Sequence, residues 1–304
     1  MMLINKFHYF LLLFFLTSFS YSQSKINSFL KPSDTLNKSR RNAVIITESS
    51  LAGITLLGLN QLWYSDYPKS KFHTLNDNGE WLQMDKLGHV FTSYQLGKYG
   101  ANVLDWSGVD KKEQLIYGGT LGFVFLSAVE VLDGFSKEWG FSWGDILANG
   151  IGAGLYIGQE LLWNEQKITL KYSFHQTKYA PQNPDKLGES FLEEVLKDYN
   201  GQTYWVSANL HSFFKESKLP KWLNVAAGYG ADGMLTGIEN IENQNFMNQN
   251  RIRQYYLSLD IDLSRIKTNS HVLRSILDVF NVFKIPFPTI EFNKNRVVFH
   301  LFYY

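Results

Sequence analysis

An acid, a base and an imidazole fall within five positions of MDKLGHVFTSY (84–94): Asp85, Lys86 and His89. Asp85 and His89 are four apart, so on a helix they share a face, and Thr92 and Ser93 continue close to it. A carboxylate so placed orients an imidazole and raises its basicity, as in a general-base pair or behind a metal ligand. The same acid also serves as a helix N-cap or first-turn residue that satisfies free N–H groups and complements the dipole. Capping accounts for Asp85 and leaves His89 unexplained.

Two further groups join this stretch. Glu130 lies deep in an apolar run after GFVFLSAV, with Asp133 three positions on at the same face. A carboxylate buried there is costly unless paired, and Lys86, His89 and Lys137 are its candidate partners. In SWGDILANGIG (142–152), Ser142 and Asp145 fit a capping box, S-x-x-D. Asp145, Asn149 and Gly152 also follow an i, i+4, i+7 stripe, which brings a carboxylate and an amide toward a neighbouring helix over a glycine with no side-chain bulk.

Together, D-K-x-x-H at 85–89, the acid Glu130 and D-x-x-x-N-x-x-G at 145–152 resemble the pattern of VanZ-like membrane proteins and of YfiM-like envelope proteins, over roughly residues 80–163. The resemblance implies an envelope location and a shared polar centre built from Asp85, Lys86, His89, Glu130, Asp145 and Asn149, rather than a particular reaction. There are departures. VanZ-like sequences often carry Gln and Arg after the helix acid, where this chain has Asp133 and Lys137. Some YfiM-like proteins are lipoproteins, whereas this sequence has no cysteine to lipidate.

Two readings of the centre stay open. In one, it specifies helix packing or binds a lipid headgroup or another envelope protein, with Lys86, Asn149 and Gly152 as binding positions. In the other, the chain is a membrane hydrolase or transferase acting on lipid or cell-wall material. His89 is then the base, Asp85 its orienter, Glu130 and Asp145 acids or metal groups, and Asn149 an anion-stabilising donor. The residue types specify neither a metal nor a cofactor.

Other classes lack support. The chain carries 29 basic and 28 acidic side chains and no long basic run, so nothing marks a surface for phosphate backbones. There is no H-E-x-x-H, no G-x-S-x-G, no P-loop and no Rossmann fingerprint, which removes the usual zincin, hydrolase and nucleotide motifs. Neither nucleic acid nor nucleotide is expected as a partner, whereas membrane lipid is.

The elements that must position these residues follow from periodicity. Lys6, the apolar run 7–19 and the small residues Ser20 and Ser22 read as a signal peptide, residues 1–22, which predicts export to the outer membrane or the periplasmic face of the envelope. Residues 23–42 are polar and read as a flexible lead-in. Spans 43–63, 88–104, 114–132 and 145–163 have the length of membrane helices but are diluted by Gly, Ser, Thr or a charge. Rows of glycine four apart, at 118 and 122 and at 150, 154 and 158, predict smooth stripes for close helix contact.

From about residue 167 the period changes to two, in 167–178, 203–214, 223–235, 253–266 and 296–304. In the fourth, Leu257, Leu259, Ile261 and Leu263 alternate with Ser258, Asp260 and Asp262, the apolar-out, polar-in rhythm of a barrel strand. The last places His300, Phe302 and Tyr304 on one face. A helix is expected over 270–283. The predicted class is therefore α+β: a helical domain, 43–166, of about four apolar, Gly-rich helices, then a β-rich domain, 167–304, forming an antiparallel, outer-membrane-associated sheet or partial barrel.

Overall fold

Long stretches of helix-period sequence give way to period-two sequence near residue 167, and the molecule is built in that order. A computed structural model describes residues 25–62, 64, 67–238, 250–294 and 296–303. The signal-peptide residues, the Asn-rich stretch 239–249 and Tyr304 lie outside the described residues. Helices α1 (Lys38–Leu62), α2 (Met84–Trp106), α3 (Leu121–Asp133) and α4 (Trp143–Trp163) form a bundle, and an antiparallel six-stranded sheet follows. The class is α+β.

Helix α2 is the centre of the bundle, packing against α3, α4 and the first two strands. Its neighbours come close because side chains are missing where backbones meet. A Cβ on Gly122 of α3 would overlap the backbone of Ser93, and one on Gly152 of α4 the carbonyl oxygen of Val90. Gly118 meets Ala101 in the same way, so the predicted 118/122 row is a contact row. The 150/154/158 row is not: Gly154 and Gly158 face open space and Gly150 only touches Phe123. Two residues along a helix is roughly 200° around it, which puts that row opposite Gly152, the glycine that meets α2.

Part of the expected flexible lead-in is tied down. The Arg40 guanidinium lies 4.4 Å over the Trp106 ring, Trp106 Nε1 donates to the Phe29 carbonyl at 2.8 Å, and Asn27 Oδ1 accepts from the backbone N–H of His271. Asn27 thereby adds to the Ser270 cap of α6 (His271–Phe280), which lies within the helix expected at 270–283.

The strands are β1 (Ile168–Phe174), β2 (Gln202–Asn209), β3 (Leu223–Asp232), β4 (Ile252–Ile261), β5 (Phe287–Asn293) and β6 (Arg296–Tyr303), each paired with the next in sequence. A short helix, α5 (Phe191–Lys197), lies between β1 and β2. Strand β5 has no clear sequence signal, because Pro286 and Pro288 read as turn residues; Pro288 is accommodated where the β5–β6 register slips. The sheet rolls up. Beyond β1, Tyr172 exchanges backbone hydrogen bonds with Val282 and Lys284, both at 2.9 Å. From β6, Tyr303 reaches Tyr256 of β4 at 2.8 Å and Thr203 of β2 at 3.2 Å.

The rolled sheet is polar inside and apolar outside. Lys171 and Asp260, both 0% exposed, form an ion pair at 2.8 Å across the interior, where Ser207, Asn224 and Thr289 are also buried. Leu257, Leu259, Ile290, Phe292, Phe299 and Leu301 are exposed on the outer face. The β4 alternation thus reads in the expected sense. The face expected on the last strand does not hold: a bulge opposite Phe287–Thr289 turns Tyr303 inward beside His300 and leaves Phe302 exposed.

Candidate functional site

The polar groups gather where the first turns of α2 and α4 meet the last turn of α3. Trp81, Leu82 and Gln83 lead into α2 with φ of 46°, 51° and 66°, a left-handed run without a glycine. It is held from the sheet, where Tyr229 Oη and Arg253 Nη1 donate to the Leu82 carbonyl at 2.6 and 3.0 Å. Strained backbone persists where surrounding contacts over-determine it, and here it sets the start of α2 and hence the direction of Asp85 and Lys86.

Lys86 is the hub. Its ammonium lies 2.7 Å from Asp77, 3.0 Å from Asp85 and 2.8 Å from Asp145, so three N–H donors meet three carboxylates. Asp85 is a first-turn residue and not the cap, which falls at Gln83; its carboxylate also accepts from Tyr199 Oη at 2.9 Å. Ser142 caps α4 by accepting from the Asp145 N–H at 3.2 Å, as the capping box predicts, and its hydroxyl donates to Asp77 at 2.6 Å. Capping and ion pairing therefore coexist at Asp145.

His89 faces the same cluster from the next turn. Its Nδ1 is 3.0 Å from Asn149 Oδ1, which leaves Nε2 directed at Glu130 (3.7 Å), Asp145 (3.8 Å) and Asp85 (3.9 Å). Glu130 is buried and accepts from the Ser142 N–H at 3.1 Å, so the partner it finds on a side chain is His89, not Lys137. Asp133 accepts from Tyr64 Oη at 2.6 Å. Asn149 is 0% exposed; its Nδ2 has no hydrogen-bond partner among the described residues, while its carbonyl accepts from Ser93 Oγ at 2.7 Å.

Charge follows from this geometry. Burial disfavours the His89 imidazolium, but Asp85, Asp145 and Glu130 outweigh it and raise its pKa. Burial works against the Lys86 ammonium too, and Asp85 with the other carboxylates reverses it, raising that pKa. Burial, then the Asp85 charge, pushes Asp145 up to about 6. Burial acts upward on Asp85 as well, yet His89 and Lys86 hold it below its usual range. Ligand atoms of Asp85, His89 and Asp145 lie within 4.8 Å of one another, a spacing that could hold a metal ion. The Lys86 ammonium already lies between the two aspartates, so an ion there would have to displace it.

Of the expected site residues, Asp85 and His89 line a cleft. The cleft, of about 280 Å³, runs from them between α2, α3, α5 and the β1–β2 surface. Lys86, Glu130, Asp145 and Asn149 stand behind this wall, and Gly152 is a helix-contact residue. Sequence reasoning brings six positions to one centre and misses Asp77, which lies in an irregular loop, and Tyr199, which lies beyond β1. Neither carries a periodic signal, since each arrives by tertiary folding.

Residues 75–158 match the model of a family described as predicted periplasmic lipoprotein (DUF2279). The match contains Asp77, Asp85, Lys86, His89, Glu130, Asp145 and Asn149, and leaves out Tyr199 and the whole sheet. Its description concerns location in the cell envelope and assigns no reaction. No curated protein and no solved structure matches the chain.

Proposed function

We propose that the chain is a membrane-embedded protein of the outer part of the bacterial envelope, whose Lys86-centred network fixes one end of the helical bundle and shapes a lipid-binding cleft beside it. The observation that carries this reading is the inverted burial of the sheet. Charged and polar side chains fill its interior while leucine, isoleucine and phenylalanine cover its outer face, the reverse of what water favours. Helix α1 agrees with it: the run 38–61 is long and apolar enough to cross a membrane, and only 6% of that window is buried. The run 111–133 passes the same length and composition test. The polar network sits at the helix ends, where a bundle in a bilayer meets water.

Fractionation of cells producing the chain tests the placement. The protein should sediment with outer membranes, resist a carbonate wash and need detergent for extraction. Recovery in the soluble periplasmic fraction would overturn the reading. His89→Ala, run alongside, should lower the amount of folded protein in the membrane, because it removes the only imidazole of the buried network.

A second reading, a hydrolase or transferase on lipid or cell-wall material, has one observation in its favour: His89 and Asp85 both border the cleft, with Nε2 turned toward the carboxylates. In that reading His89 takes a proton from an attacking hydroxyl or water and Asp85 stabilises the imidazolium. It predicts that His89→Gln gives a normal amount of folded membrane protein that has lost turnover. Lowered amounts together with unchanged turnover per folded molecule would discard it.

A further inference from the structure

The cleft beside Asp85 and His89 has two unlike ends. Its walls are the rings of Phe91, Tyr172 and Tyr204 with Leu126 of α3, and its outer rim is Val195 and Leu196 of α5. Leu196 is 66% exposed, so the cleft opens where it stands, and Phe191 and Leu192 make the adjoining surface of α5 apolar as well. The mouth is therefore apolar and continuous with an apolar surface. The rim is also fixed: Tyr172 Oη and Gln202 Nε2 donate to the Val195 carbonyl at 2.7 and 3.0 Å. At the inner end stand Asp85, His89 and the Thr92 hydroxyl.

We propose that this cleft holds the alkyl chain of a single-chain amphiphile, entering past Leu196 with its hydrogen-bond-donating head, an ammonium or hydroxyl, against Asp85. This deepens the lipid-binding part of the proposed function by naming the ligand class. Three observations carry it. A volume of about 280 Å³ lies near the lower limit of small-molecule sites, enough for one chain and too small for a two-chain lipid. With the head at the inner end, the apolar mouth leaves hydrocarbon, and no polar group, against Leu196 and the adjoining apolar surface of α5. Asp85 lines the inner end, and behind it Asp77 and Asp145 bring the carboxylates to three against the cations Lys86 and His89, so a phosphate or carboxylate head meets net like charge while a donor finds an acceptor. Asp85 is the acceptor that lines the cleft; Tyr199 and Lys86 take one lone pair each, on different oxygens, and a carboxylate has about four.

The test uses the full chain in phosphatidylcholine nanodiscs and three decyl probes carrying a photoactivated diazirine on the chain, with ammonium, hydroxyl or phosphate heads. The ammonium and hydroxyl probes should label cleft residues such as Phe91 and Leu126 about ten-fold more than the phosphate probe, the size of one charge-assisted hydrogen bond. Leu196→Trp, a change at an exposed position away from the ion-pair network, should cut cleft labelling by all three. Asp85→Asn should level the heads while leaving chain labelling in place, and circular dichroism establishes that each variant is folded. Labelling spread over the outer sheet face without enrichment in the cleft, equal labelling by the phosphate probe, or indifference to Leu196→Trp would each overturn the proposal. Should the membrane placement itself fail, the protein will not enter nanodiscs; the same probes then report on the cleft in aqueous buffer.

Discussion

At the scale of residues, the centre is an argument about one cation among carboxylates. Lys86 pairs with Asp77, Asp85 and Asp145 at once, with 13% of its side chain exposed. Lys86→Met keeps the stem and leaves three carboxylates facing one another. Breaking a buried pair in this way costs about 3–5 kcal/mol, so the variant should fail to accumulate as folded protein, measured as yield after detergent extraction. The proton balance gives a second prediction. His89 titrates higher in the fold than its ordinary value near ~6.5, so its stabilisation is complete at pH below that value and is lost as pH rises through the raised pKa. Asp145, pushed up to about 6, takes up its proton earlier in the folded state as pH falls, and so acts in the same direction. Asp85, held low, would withdraw its contribution only in stronger acid. The thermal midpoint in detergent should therefore fall as pH is raised from mildly acid to alkaline, and His89→Gln should flatten that slope; an unchanged slope would remove His89 from the account. The i, i+4 spacing of Asp85 and His89 makes half of this centre legible in the sequence. Asp77 is not legible, because a loop acid acquires meaning only when folding sets it 2.7 Å from a lysine.

Elements meet here through missing side chains, and on α4 the single Gly152 makes the helix contact while the row 150/154/158 lies on the opposite surface. Gly152 lies against Val90, whereas nothing stands within 4 Å of a Cβ on Gly154. Gly152→Ala should push α4 off α2 and destabilise by about 1–3 kcal/mol through overpacking. Gly154→Ala should instead stabilise by about 0.5–1 kcal/mol, the ordinary advantage of alanine within a helix. Thermal unfolding of the two variants side by side checks both signs; equal effects would mean that α4 is rotated from the orientation described. The existence of the four helices is readable from their period, as is the contact row at Gly118 and Gly122. That Gly152, and not the row at 150, 154 and 158, faces inward is not readable, since regular glycine spacing points to the row. Strand β5 escapes for a different reason: Pro286 and Pro288 are turn residues by local rule, and tertiary pairing with β4 and β6 overrides that rule.

For the whole molecule, the question is which solvent the outer surface was made for. In water, a sheet that buries Lys171, Asp260 and Thr289 while exposing Leu257, Phe292 and Phe299 would give up hydrophobic stabilisation on one face and incur desolvation on the other. In hydrocarbon the same arrangement is favourable on both faces, provided that the interior polar groups satisfy one another. They do so: Lys171 meets Asp260, Ser207 donates to Asp260 at 2.7 Å, Asn224 donates to Ser207 at 2.9 Å, and Thr289 donates to Ser258 at 2.9 Å. The open seam between β1 and β6 is partly covered by the pairing of Tyr172 with Val282–Lys284, and α2 covers part of the outer face of β1 and β2 through Phe91 against Tyr172 and Tyr204. Helices thus complete on one side a wall that six strands alone leave unfinished. The two solvents make opposite forecasts for one substitution. Leu257→Arg on the outer face should cost about 2–4 kcal/mol and deplete folded protein from the membrane fraction if that face meets lipid. The same change at an exposed position in water should stay within about 0.5 kcal/mol. Membrane-fraction yield and unfolding of Leu257→Arg beside Phe299→Arg decide between them, and two variants as stable as the parent would mean that the outer face was made for water.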